Sequence, residues 1–281
     1  AISKINDMIF NGAKIIDIGG VSSRPGSLAI SKEEELNRIK PICDIIREKK
    51  LHEKVAFSID SYTPSVIEYA LQSGFTIVND ITGLIDDEVA KTTAKYDATI
   101  IIMHMKGKPN DMQVNPSYTN VIEEVNNFFN TQIRKANNFG IKNIILDVGI
   151  GFGKTLEHNL LLLKNMNHFS HFGYEVLIGA SRKSMIDKIV PANIEDRLSG
   201  TLAIHLDSVQ RGASIVRCHD VKEHYLKLLM QYYFQINHLK GLKKLLLQGF
   251  KFELRFEDIK EAFIHIKEDE DNDYPANIGL R

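Results

Sequence analysis

Asp60, Asn79 and Asp147 each stand at the end of a short apolar run, Val55–Ile59, Phe75–Val78 and Asn143–Leu146 respectively. Two carboxylates and a carboxamide match a heterocycle rich in N–H donors, and a carboxylate taken out of water needs such partners. The plainer alternative for any one of them is a cap on nearby backbone amides; three at equivalent points argue for a shared ligand. Arg217 and His219 are two residues apart at the end of another apolar run, Ser214–Arg217, so an extended chain projects them to one side. An arginine fork with a histidine donor suits a phosphate or pyrophosphate, and the competing reading pairs Arg217 with Asp220. Ser181-Arg182-Lys183-Ser184 follows a strand candidate and opens a helix, where backbone N–H groups and the helix dipole favour anions. Ser181 reads as the N-cap, and Lys183 as a contact to an anion or a ring carbonyl, against plain surface charge.

The stretch Asp147 to Thr155, Asp-Val-Gly-Ile-Gly-Phe-Gly-Lys-Thr, invites a phosphate-loop reading, but Val148 occupies the position where the Walker pattern requires glycine. Gly149, Gly151 and Gly153 also lack dinucleotide-fingerprint spacing. What remains is a tight strand-to-helix turn, or a backbone that lets a flat ligand approach. Ser22-Ser23-Arg24-Pro25-Gly26 has no apolar content to hold it and reads as a mobile lid. In Met103-His104-Met105, Met103 is expected to line a pocket and His104 to be structural. No Ser, His, Asp triad can be assigned, and no cluster has metal-ligand spacing.

The elements that must position these groups follow one repeat. Runs rich in Ile, Val and Phe occur at Lys14–Ile18, Val55–Ile59, Phe75–Val78, Ala98–Met103, Asn143–Leu146, Glu175–Ile178 and Ser214–Arg217, with amphipathic helical stretches between them. This is the pattern of buried parallel strands joined by helices. Glycine lead-ins at Gly12, Gly74 and Gly212 are expected to end a helix before the next strand. Polar residues gather at the C-terminal end of every run. An open doubly wound sheet would focus them at one switch point, whereas a (β/α)8 barrel spreads them around one face, so the barrel is favoured. Residues 221–236 read as its last helix. Beyond it come a basic helix near 239–247, a strand candidate at 251–256, a helix at 257–267 and the acidic run Glu268-Asp269-Glu270-Asp271, which reads as a solvated tail. The domains are thus expected to be a barrel over 1–236 and an extension over 237–281.

Composition excludes whole classes of function. Thirty-five Lys and Arg against thirty-six Asp and Glu leave a net charge of -1, so no global field recruits nucleic acid or an anionic membrane. Two cysteines, Cys43 and Cys218, make no disulfide framework, and no apolar run approaches the roughly 18 residues of a membrane span. A cytoplasmic protein binding small molecules is expected. The chain starts at Ala1 without methionine, which suggests a start inside a longer one.

Taken in order, the segments Asp17-Ile18-Gly19-Gly20, Ser23-Arg24-Pro25-Gly26, Ser58-Ile59-Asp60, Asn79-Asp80-Ile81, Met103-His104-Met105, Asp147 through Lys154, Gly179 to Lys183 and Arg217 with His219-Asp220-Val221 resemble the dihydropteroate synthases, a family of pterin-binding barrels. The resemblance covers about residues 1–230. It implies a (β/α)8 barrel, a homodimer sensitive to sulfonamides as a target, and the condensation of p-aminobenzoate with 6-hydroxymethyl-7,8-dihydropterin pyrophosphate in folate biosynthesis. It implies pterin contacts at Asp60, Asn79, Met103, Asp147, Phe152 and Lys183, and p-aminobenzoate contacts at Ser23, Arg24, Pro25, Phe152, Lys183 and Ser184. Pyrophosphate falls to Arg217 and His219; Lys183, Arg217, His219 and Arg24 form the implied catalytic set. A magnesium ion is implied as cofactor, with its Asn ligand, the first strand and the first loop expected upstream of Ala1. A folate-dependent methyltransferase of the same barrel type would share Asp60, Asn79 and Asp147 but would have little use for Lys183 and the Arg217–His219 pair, whereas a catalytically silent pterin-binding protein would account for the missing first loop.

Overall fold

The computed structural model describes residues 1–22 and 30–231. The apolar runs form strands within one or two residues of their expected bounds: β1 Ile15–Ile18, β2 Ala56–Asp60, β3 Ile77–Asp80, β4 Thr99–Met103, β5 Ile144–Asp147, β6 Glu175–Ile178 and β7 Ile215–Val216. Helices α1 Ile2–Phe10, α2 Lys32–Glu48, α3 Pro64–Gln72, α4 Asp87–Lys95, α5 Val121–Asn138, α6 Leu156–Lys164, α7 Ser184–Ile189 and α8 Leu198–Gln210 alternate with them, and residues 221–231 are helical after β7. The strands pair in sequence order, every pair parallel, which requires a helical crossover between neighbours. Gly12, Gly74 and Gly212 take positive φ just past α1, α3 and α8, as their lead-in positions predicted. Residues 1–230 make one compact unit. The lid residues Ser23, Arg24 and Pro25 and the extension over 237–281 lie outside the described residues.

Two periodicities divide the strands between two cores. Phe57, Ile59, Val78, Ile100, Ile102, Leu146, Val176 and Ile178 face the helices in one large apolar cluster. The alternate positions, Ile77, Ile101, Ile145 and Leu177 with Ile15, Ala56 and Ile215 against them, form a separate layer inside the curl of the sheet. Each branched side chain so buried contributes about 1.5–3 kcal/mol. The curl is visible in one contact: Arg217, just past β7, reaches Asp17 on β1 and Asp60 on β2 across the whole strand order. The fold is therefore the expected α/β barrel type, with seven strands among the described residues.

Candidate functional site

Two residues beyond each member of the inner layer the chain places a residue of a different kind. Ile15 leads to Asp17, Ile77 to Asn79, Ile101 to Met103, Ile145 to Asp147, Leu177 to Gly179 and Ile215 to Arg217, while Ala56 leads through Ser58 to Asp60. Because strand side chains repeat every second residue, all of these face the same interior as the apolar layer, one step nearer the C-terminal rim, or two steps for Asp60. The hydrophobic layer forms the floor and the polar ring stands on it.

The ring is organised around Arg217. Its Nη2 donates to Asp17 Oδ2 at 2.7 Å and to Asp60 Oδ2 at 2.8 Å. Asn79 Nδ2 donates to the same Asp17 oxygen at 3.0 Å. Asp17 Oδ1 is buried with no hydrogen-bond partner in the structure, an acceptor left over on the inner face. Burial, and then the neighbouring Asp17 charge, push the Asp60 carboxyl up to about 7 despite Arg217. Burial opposes the charge on Arg217, yet Asp17, Asp60 and Asp147 together overcome it and hold the guanidinium above its ordinary pKa. Asp147 is likewise raised by burial, with Oδ1 accepting from the Gly149 amide at 2.8 Å. Gly179 lies between Asp147 and Arg217, where a Cβ would make only ordinary contact, 3.9 Å from Arg217 Cβ and 4.0 Å from Asp147 Oδ2.

An apolar wall faces these acceptors. Met103 and Phe152 pack with Ile81 and Met112, and Met105 lies against them. Lys183 Nζ stands 4.2 Å from the centroid of the Phe152 ring, a cation–π contact that ties the loop after β6 to the loop after β5. The glycine stretch after Asp147 is a shaped turn, not a phosphate cradle. Gly149 has φ +67, and a Cβ on it would lie 1.9 Å from the His104 carbonyl oxygen. Lys154, the residue that a phosphate loop would aim at its ligand, is buried and donates to the carbonyls of His104, Gly149 and Phe152 at 3.1, 2.9 and 3.0 Å. Burial pulls its ammonium down to about 7. His104, packed edge-on against Phe128, is pushed down to about 2 by burial and so is held neutral, in keeping with a structural role.

The rim after β6 and β7 removes one competing reading and departs from expectation in two places. Asp220 pairs with Arg182, at 3.0 and 2.6 Å, and leaves Arg217 to the inner carboxylates. Ser181 is not the N-cap of α7; Lys183 holds that position, and Ser181 Oγ instead bonds His219 Nδ1 at 2.8 Å and accepts from the His219 amide at 3.2 Å. Arg217 and His219 have separate partners because β7 ends at Val216 and the extended geometry does not continue. Ser184 begins α7 and is exposed. Five residues were not singled out from sequence in the parts they play: Asp17, Ser181 in its bond to His219, the wall residues Ile81 and Met112, and Glu35. The last is buried and accepts from Ser61 and Thr63 hydroxyls at 2.6 Å each, fixing the turn after Asp60. Asp17 was legible, since period two from Ile15 puts it in the ring.

No three histidines, cysteines or carboxylates come together as a metal site among the described residues. The cation lying between Asp17 and Asp60 is the Arg217 guanidinium itself, so these residues do not by themselves fit the magnesium ion.

A family of pterin binding enzymes matches residues 1–219. Among individual proteins, the chain is 41% identical over 225 residues to the dihydropteroate synthase of Escherichia coli K12, covering 79% of each. It is 40% identical over 224 residues to the bifunctional dihydropteroate synthase/dihydropteroate reductase of Helicobacter pylori, covering 80% of this chain and spanning 59% of that protein. The Yersinia pestis dihydropteroate synthase solved with a sulfonamide drug superimposes with a TM-score of 0.80 at 33% identity, over 83% of this chain and 85% of that one. Ring, wall and rim are arranged on a fold shared with these enzymes: the chain belongs to the pterin binding enzyme family and, within it, to the dihydropteroate synthases.

Proposed function

We infer that the chain catalyses transfer of a pterin methylene group from pyrophosphate to p-aminobenzoate, forming dihydropteroate. The observation that carries this reading is the pairing of an acceptor ring, Asp17, Asn79, Asp60 and Asp147, with one cation, Arg217, at its edge. A flat donor-rich ring placed on the acceptors would lie against Met103 and Phe152, with its pyrophosphate toward Arg217 and the Ser181–His219 pair. In the reaction the methylene C–O bond breaks and its electron pair leaves on pyrophosphate, where Arg217 and His219 stabilise the charge. The arylamine nitrogen then forms the new C–N bond and loses a proton to solvent. No side chain needs to be a nucleophile, so preorganised charge supplies the rate. Lys183, stacked on Phe152, borders the space assigned to p-aminobenzoate, with Ser184 beside it at the start of α7; the contacts expected of Ser23, Arg24 and Pro25 fall outside the described residues.

The reading extends to a cytoplasmic homodimer using magnesium. Exposed apolar side chains at Leu160, Leu161, Ile189 and Val190 support association through the late helices, and sedimentation of the full chain tests it. Titrating magnesium during turnover tests the ion. The deciding experiment is release of pyrophosphate from the pterin pyrophosphate on addition of p-aminobenzoate. Pterin binding with no release in any magnesium concentration would instead favour a silent binding protein.

A further inference from the structure

Two buried histidines link the loops that carry the proposed anion site, and nothing in the reaction uses them. His205 on α8 and His224 in the helical segment after β7 are 1% and 4% exposed. The Ala180 amide donates to His205 Nε2 at 3.0 Å, His205 Nδ1 lies 2.8 Å from His224 Nε2, and His224 Nδ1 lies 2.6 Å from the Asp220 carbonyl oxygen. The protons in this chain can be assigned from its ends. A backbone amide only donates, so His205 Nε2 must accept and its proton sits on Nδ1; His224 Nε2 then accepts, and its Nδ1 proton goes to the carbonyl. Both rings are therefore neutral Nδ1–H tautomers. Burial, and then the neighbouring His224, hold His205 down to about 3, which keeps this pattern intact at neutral pH.

What the chain braces is strained. Arg182, between Ser181 and Lys183, has φ +55, a left-handed conformation that a side chain with a Cβ disfavours. Its amide donates to Thr201 Oγ1 at 2.9 Å, its carbonyl accepts from Arg197 at 3.3 Å, and its guanidinium grips Asp220. The histidine pair closes this frame from beneath, joining the residue before Ser181 to the residue after His219. We propose that His205 and His224 are positioning residues: through a tautomer-locked imidazole pair they hold the Arg182 turn so that Ser181 and His219 meet the pyrophosphate of the substrate. This rests on the anion subsite inferred above.

The test measures binding of inorganic pyrophosphate and of 6-hydroxymethylpterin to the full chain by calorimetry. His205→Phe, similar in bulk but without ring nitrogens, is expected to weaken pyrophosphate about tenfold and to leave the pterin within about twofold. His205→Gln, which restores an acceptor for the Ala180 amide, is expected to recover most of the loss. Nitrogen NMR of the wild type should place protons on Nδ1 of both rings. Unchanged pyrophosphate binding in His205→Phe, equal losses for both ligands, or Nε2–H tautomers each overturn the proposal. If His205→Phe does not fold, His224→Gln is read in its place, with a threefold or greater selective loss supporting the proposal and none overturning it. Wild-type protein that binds the pterin but no pyrophosphate overturns the anion subsite itself, and the proposal with it; wild-type binding with insensitive variants overturns the histidine relay alone.

Discussion

Arg217 does two jobs that pull against each other. With no ligand, its guanidinium is shared between Asp17 and Asp60; with a pyrophosphate present, the same donors are wanted by the anion. Replacing it by alanine removes charge-assisted hydrogen bonds worth about 1.5–3 kcal/mol, so pyrophosphate affinity is expected to fall roughly 10- to 100-fold in calorimetry. The loss for the pterin should be smaller but real, because Asp60 then loses its counter-ion. A raised Asp60 carboxyl also gives pterin binding a definite pH sense. Below its value of about 7 the group is protonated and no longer a full acceptor, so affinity should rise with pH through about 7 and level off above. Asp60→Asn should bind weakly at every pH with that rise gone; a rise that survives the substitution assigns it to another group. These roles were readable from residue type at strand ends. Period two from Ile15 places Asp17 in the ring, but its ion pair was harder to read because the partner is 200 positions away (217 minus 17), which no local pattern announces.

At the scale of elements, the barrel's alternation carried most of the information. Period two separated Ile77, Ile101 and Ile145 from their helix-facing neighbours, and the same count landed Asn79, Met103 and Asp147 in the ring. Loops obey no such count. Nothing in Gly-Ile-Gly-Phe-Gly-Lys reveals that Lys154 turns inward to bind three carbonyls, because its partners include His104 on another strand's loop. Likewise Asp220 lay nearest Arg217 in sequence and chose Arg182. Backbone geometry makes the glycine turn intolerant. Gly149→Ala imposes a Cβ 1.9 Å from a carbonyl oxygen at positive φ, and is expected to cost about 2 kcal/mol or more. Thermal unfolding should register this as a drop of roughly 4–8 °C.

For the whole molecule, Lys154 sets a measurable slope. Its folded-state pKa, lowered to about 7 by burial, lies beneath its unfolded value of 10.5. Between these values the unfolded chain binds the extra proton, so this group's contribution to stability rises with pH from about 7 to 10.5 and is flat below 7, where both states hold the proton. The difference in unfolding free energy between wild type and Lys154→Met, from urea titrations, should therefore grow by up to about 1.4 kcal/mol per pH unit from 7 to 10.5. A flat difference would mean that the ammonium stays charged throughout. The reach of Arg217 across the strand order has a kinetic meaning as well. Asp17 and Arg217 stand on opposite sides of six strand pairings in the chain, so their ion pair closes a long loop and is expected to form late in folding. Variants at Arg217 should accordingly speed unfolding and leave the refolding rate nearly unchanged. On that expectation the acceptor ring gains its cation last, and a chain halted earlier would present its carboxylates without the charge that offsets them.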